Sequence, residues 1–99
     1  MTPRARRLKR KYGITVKQYQ MLLRFQNGRC AICQRPPRGR RLAVDHDHSL
    51  KGVDSVRGLL CYGCNRFRVS KNTLTSARAV VQYLWRFEVQ HEPQWRMVG

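Results

Sequence analysis

Apolar residues recur along residues 15–27, TVKQYQMLLRFQN, with the spacing of a helix. Tyr19, Leu22, Leu23 and Gln26 share one face, which is spaced for a core rather than for a ligand. Thr15 is placed to cap the first turn, Gln18 sits at the reciprocal capping-box position, and Asn27-Gly28 ends the segment. Further along, the period shortens. Residues 42–47, LAVDHD, read as a short strand with Leu42 and Val44 on one face, and residues 56–60, VRGLL, read as a second. Gly52 marks a turn between them. CYGCNRF opens a helix, and after the polar link SKNT another helix is predicted over 76–89 with Thr75 as its cap. Ala79, Val80, Tyr83, Leu84 and Phe87 of that helix are spaced for burial. Pro36-Pro37 and Gly39 forbid regular structure within 30–41, and the tail 90–99, with Pro93 and Trp95, has no period. The mixture predicts a small α+β fold.

Ninety-nine residues make one domain, and a core this small often needs a metal or disulfide staple. No apolar run is long enough to span a membrane, and the basic opening MTPRARRLKRKYG lacks the apolar stretch of a signal peptide. An intracellular protein is expected. The formal net charge of +16 suits a polyanionic partner, with nucleic acid leading. Residues 1–13 read as a basic arm, poorly ordered alone, whose Arg4, Arg6, Arg7, Lys9, Arg10 and Lys11 meet phosphates in a complex. Arg35, Arg38, Arg40 and Arg41 make the 30–41 loop a second basic patch.

Two CxxC pairs, Cys30/Cys33 and Cys61/Cys64, consume every cysteine in the chain. Two intervening residues let both sulfurs of a pair aim at one ion, and two such knuckles complete a tetrahedral four-thiolate site that favours zinc. Disulfides and a redox CxxC are the competing readings; they fit a secreted protein and a βαβ unit respectively. A closed four-cysteine site leaves no open position for water, so this zinc would staple rather than catalyse.

Chemistry is sought elsewhere, in VDHDHSL. The chain has five acids against 21 Lys and Arg, yet Asp45 and Asp47 alternate here with His46 and His48. Strand alternation sends the aspartates to one face and the histidines to the other, unless a bend relaxes it. A carboxylate and an amide oxygen form a hard-donor set suited to Mg²⁺, and Asn65, directly after the second CxxC, is the obvious amide. An exposed polar turn and a helix-cap asparagine are the plainer readings of these two features.

Taken in order, YGIT, CAICQ, VDHDHSLKG and VRGLLCYGCN resemble the phage endonuclease VII family of His-Me finger (HNH-like) nucleases, over roughly residues 12–66. The resemblance implies a zinc-stapled ββα-metal core with flanking helices, here over residues 14–89, between the 1–13 arm and the 90–99 tail. It implies Asp45 and Asn65 as ligands of a catalytic Mg²⁺ or Mn²⁺, His46 as general base, His48 as an assisting residue and Cys30, Cys33, Cys61 and Cys64 as zinc ligands. Arg57 is expected to contact phosphate, with Arg38, Arg40, Arg41, Arg7, Lys9, Arg10 and Lys11 as further DNA contacts. The implied activity is metal-dependent DNA hydrolysis on duplex or branched DNA such as Holliday junctions, leaving 5′-phosphate and 3′-hydroxyl ends. A phage- or prophage-encoded protein working in the bacterial cytoplasm is expected. The competing readings are a nicking or double-strand HNH endonuclease without junction preference, and a non-catalytic zinc DNA-binding module. Val81, Trp85 and Val89 extend the apolar surface of the last helix, which makes a homodimer through it, or packing of Trp85 on the tail near Trp95, the two alternatives there.

Overall fold

The computed structural model describes residues 1–91, and the chain divides into two compact units, residues 1–68 and 69–99. The first unit opens with α1 (Pro3–Tyr12), where a poorly ordered arm is predicted. The cause is local. Arg and Lys are good helix formers, Thr2 caps by accepting from the Ala5 N–H at 3.1 Å, and Pro3 sits in the first turn. Leu8 is the residue that α1 buries.

Gly13 ends α1 with φ of 74° and returns its N–H to the Lys9 carbonyl. A Cβ at Gly13 would lie 2.8 Å from Gly52 Cα, so the end of α1 presses against the turn of the hairpin beyond it. Ile14 follows with 1% exposure.

Next comes α2 (Val16–Phe25), with the predicted Thr15–Gln18 capping box in place. Tyr19 is buried and its hydroxyl donates to the Leu42 carbonyl at 2.6 Å, tying α2 to the entrance of the sheet. Asn27 and Gly28 both take positive φ and close the helix.

The sheet is a single antiparallel pair, β1 (Ala43–His46) with β2 (Val56–Leu60). Ala43 faces Leu60, Val44 faces Leu59 and Asp45 faces Gly58, but His46 faces Val56. Arg57 is therefore the extra residue of a bulge at the Asp45/His46 step. A 3₁₀ turn, Gly52–Ser55, leads into β2.

Gln26 treats the far edge of β2 as a strand partner would. Its Oε1 accepts from the Leu59 N–H at 2.9 Å, and its Nε2 donates to the Leu59 carbonyl at 2.8 Å. Gly58 permits this approach, since a Cβ there would meet Gln26 Oε1 at 3.3 Å. The unit ends in a π-helical turn, Cys64–Val69. Leu42, Val44, Leu59 and Leu60 form its apolar centre together with Cys30 and Cys64, a core small enough to need a staple.

In the second unit α3 (Leu74–Glu88) starts two residues earlier than predicted, because Thr73 rather than Thr75 caps it, with Ser76 completing a capping box. None of its residues is buried. Val80, Tyr83, Leu84 and Phe87, spaced for a core, are exposed, as are Val81, Trp85 and Val89. Periodicity made the helix amphipathic, but its apolar face is not buried within its own unit among the described residues. Pro93 and Trp95 lie outside the described residues. No helix among the described residues is long and apolar enough to cross a membrane.

Candidate metal centre and histidine cluster

The two knuckles bring Cys30, Cys33, Cys61 and Cys64 together, with all four Sγ atoms within 4.8 Å of one another. A tetrahedron with Zn–S bonds of about 2.3 Å has edges of about 3.8 Å, and Cys33 Sγ to Cys61 Sγ is 3.8 Å. The four cysteines are free thiols, not disulfides. The donor set and its spacing fit a structural metal such as zinc.

Packing decides how the thiols share charge. Burial pushes the Cys30 thiol up, but hydrogen bonds from the Cys61, Cys33 and Ile32 backbone and the Cys33 side chain overcome it and bring the pKa to about 6. Burial, with hydrogen bonds to Cys61, Cys30 and Cys33, pushes Cys64 up to about 12. Four thiolates cannot coexist at this spacing without a cation, which is why the site reads as a metal centre. The Cys64 N–H points at Cys61 Sγ at 3.4 Å, and Arg68 Nη1 at Cys64 Sγ at 3.6 Å.

At the other end of the hairpin the bulge answers the alternation problem. Asp45 turns inward and is 8% exposed, while His46 and His48 come together with ring centroids 4.3 Å apart. Tyr12, the last residue of α1, meets the His46 ring edge-on at 5.1 Å. Burial lowers the His46 pKa first; His48 lowers it further, Asp45 opposes, and Lys11 and Arg57 add smaller downward pulls. The imidazole is thus held neutral near pH 7.

Arg57, expected as a phosphate contact, is exposed and is also paired across the hairpin. Its Nε and Nη2 bind Asp45 Oδ2 and Oδ1 at 2.8 and 2.9 Å, a two-pronged ion pair. A carboxylate offers about four lone-pair positions, so a guanidinium fork leaves capacity for a cation. Asp47 is not gathered with Asp45. It builds the turn, accepting from the Ser49 N–H at 2.8 Å and the Ser49 hydroxyl at 2.6 Å. Those two bonds hold its carboxyl below the usual range.

Asn65 lies one residue into the π-helical turn, half-buried, with its N–H on the Cys61 carbonyl at 3.0 Å. No hydrogen bond joins its carboxamide to Asp45 or His46 among the described residues. The Cys61–Cys64 knuckle fixes its backbone through that bond. Of the other expected DNA contacts, Arg7, Lys9, Arg10 and Lys11 lie on α1, and Arg38, Arg40 and Arg41 on the loop before β1. Arg40 stacks over Tyr62 at 4.7 Å.

Three functional details escaped sequence reading. The Arg57–Asp45 pair depends on the bulge, which no local pattern announces. Tyr12 reaches His46 only because residues 3–12 are helical; Pro3 and Gly13, at the positions of a helix start and stop, were the available signal. Arg4, over the Tyr19 ring at 4.8 Å, was one arm residue among many.

The family model for recombination endonuclease VII matches residues 5–86. Two curated relatives agree over 76 residues each. The "Gene 59 protein" of Mycobacterium phage D29 is 42% identical, over 74% of this chain and 44% of its own length. The "Gene 59 protein" of Mycobacterium phage L5 is 46% identical, over 76% of this chain and 42% of its own. This chain therefore belongs to the recombination endonuclease VII family, and it spans less than half the length of these phage relatives. No solved structure matches it.

Proposed function

We propose that this chain is a metal-dependent DNA endonuclease with a His-Me finger core, acting on branched DNA. The observation that carries the reading is the neutral, half-buried His46 imidazole, held by Tyr12 and His48 beside the Asp45 carboxylate in a chain of this family. A phosphodiester repels nucleophiles by its charge, so hydrolysis needs a base for the attacking water and positive charge near the phosphate. His46 takes the proton of that water. His48 packs on His46 and orients it, and Tyr12 shields one side of the ring from solvent.

Asp45 and Asn65 present oxygen donors of the kind Mg²⁺ and Mn²⁺ prefer, one a carboxylate fixed by Arg57 and the other a half-buried amide. They would hold such an ion, which when bound neutralises charge on the phosphate and the leaving 3′ oxygen. The products expected are 5′-phosphate and 3′-hydroxyl ends. The four-cysteine zinc supports the reading indirectly, by anchoring the turn that carries Asn65.

Membership of a recombination endonuclease family supports a branched substrate. The test is cleavage of a four-way junction beside a linear duplex of the same sequence, with and without Mg²⁺. His46→Ala should lose about 10²–10⁴-fold in rate, the share of a general base, while keeping DNA affinity and zinc. A variant retaining more than about a tenth of wild-type activity removes His46 from the base role. Equal cleavage of both substrates reduces the reading to a duplex-cutting or nicking enzyme. Binding without cleavage under every metal condition leaves a zinc DNA-binding module.

A further inference from the structure

We infer that α1 and the arginine loop together form one binding site for a single DNA backbone phosphate flanking the cut bond. The proposal rests on the DNA reading above and adds a defined site to it. A cleft of about 550 Å³ opens between α1, α2 and the start of β1, and Arg4, Arg7, Arg40 and Arg41 line it with Tyr12 and Tyr19. Four arginines from two segments about thirty-five residues apart in sequence thus face one space, and no acid lines it.

Arg4 gives this cleft a specific ligand chemistry. Its guanidinium lies over the Tyr19 ring at 4.8 Å, and one of its terminal nitrogens, Nη2, is out of reach of water with no hydrogen-bond partner. The charges of Arg4 and Arg41 both act on the Tyr19 phenol, against the burial that raises its pKa, so both guanidinia lie near the same wall. Tyr19 is itself fixed by its bond to the Leu42 carbonyl, which makes the wall rigid. Planar guanidinium forks lining the cleft match phosphate oxygens, and arginine provides that match better than lysine.

The location sets the role. Tyr12 lines the cleft and also packs on His46, so the cleft lies one aromatic ring from the proposed base. A phosphate held there is a neighbour of the scissile one, and it registers the strand against His46. The contact carries no sequence information.

The test uses the zinc-loaded full chain, carrying His46→Ala and without Mg²⁺, binding a fluorescein-labelled duplex across a salt series. Arg4→Gln should make the slope of log K against log salt shallower by about 0.9, equivalent to about 8-fold weaker binding at 0.1 M salt. Lys17→Gln, on the exposed face of α2 outside the cleft, removes the same charge and should leave the slope unchanged. An equal effect from both variants overturns the site and leaves only diffuse attraction. Should Arg4→Gln fail to hold zinc, Arg4→Lys serves: it keeps the charge and the slope but lacks the fork, and should bind more weakly. Arg4→Lys binding as tightly as wild type overturns the proposal. A duplex with one methylphosphonate scanned around the cut position should contain one position at which Arg4→Gln costs nothing further; no such position sinks the single-phosphate assignment. The two readings fail separately. An inactive wild type that keeps the Arg4 effect loses the hydrolysis reading, whereas an active one without the effect loses the cleft.

Discussion

Helices α2 and α3 are built from the same instructions and meet different fates. Each starts at a threonine whose capping box is complete, and each carries apolar residues at helical spacing. Yet α2 buries Tyr19 and sends Gln26 onto β2, while α3 buries nothing. Caps and periodicity decide that a segment is helical; the partner decides whether its apolar face becomes a core. For α2 that partner is a hairpin held rigid from both ends, by the cysteine cluster and by the pressure of Gly13 on Gly52.

The comparison can be broken most severely at the metal. Cys61→Ser, or a strong chelator, should unfold the first unit outright. Structural zinc contributes about 10–16 kcal/mol of apparent binding energy in such small domains, as much as a whole domain's stability of about 5–15 kcal/mol. Far-UV circular dichroism with elemental zinc analysis checks this; a folded variant with full zinc content would refute the four-thiolate site. Gly13→Ala comes next, at about 2–4 kcal/mol. The substitution forces a side chain into left-handed backbone and drives its Cβ into Gly52. A lower urea midpoint at unchanged slope is the expected result, and a shift within error would mean that α1 does not press on the hairpin.

Gln26→Ala should cost about 1–3 kcal/mol, because the Leu59 N–H is left unpaired in the interior, while the Leu59 carbonyl keeps the Ala31 N–H at 3.1 Å. Its urea midpoint should fall between those of Gly13→Ala and wild type. Trp85→Ala closes the series, at about 0.5 kcal/mol, the range of exposed positions. A loss like that at Gly13 would show that α3 is covered in solution, and light scattering would then distinguish a second copy of the chain from the protein's own tail.

Much of the molecule was legible where one residue type does one job. The paired cysteines announced their cluster, Thr15 and Gln18 their box, and VRGLL its strand to the residue. The arm was misread because a run of like charge suggests repulsion, although Pro3, Leu8 and Gly13 mark a helix within it. The Arg57–Asp45 pair was not legible because the two residues lie on different strands, twelve positions apart, across a bulge. For the same reason, the meeting of Tyr12 with His46 and of Arg4 with Tyr19 is written in the tertiary fold and not in any window of the sequence.

The Gln26 amide has a consequence for how copies of this chain treat each other. A two-stranded ribbon offers unpaired peptide groups to any passing strand, and such edges seed aggregation. At Leu59 that invitation is withdrawn, because a side chain imitating a peptide already occupies both its N–H and its carbonyl. The chain can therefore keep a minimal sheet without recruiting neighbouring copies into it at this residue.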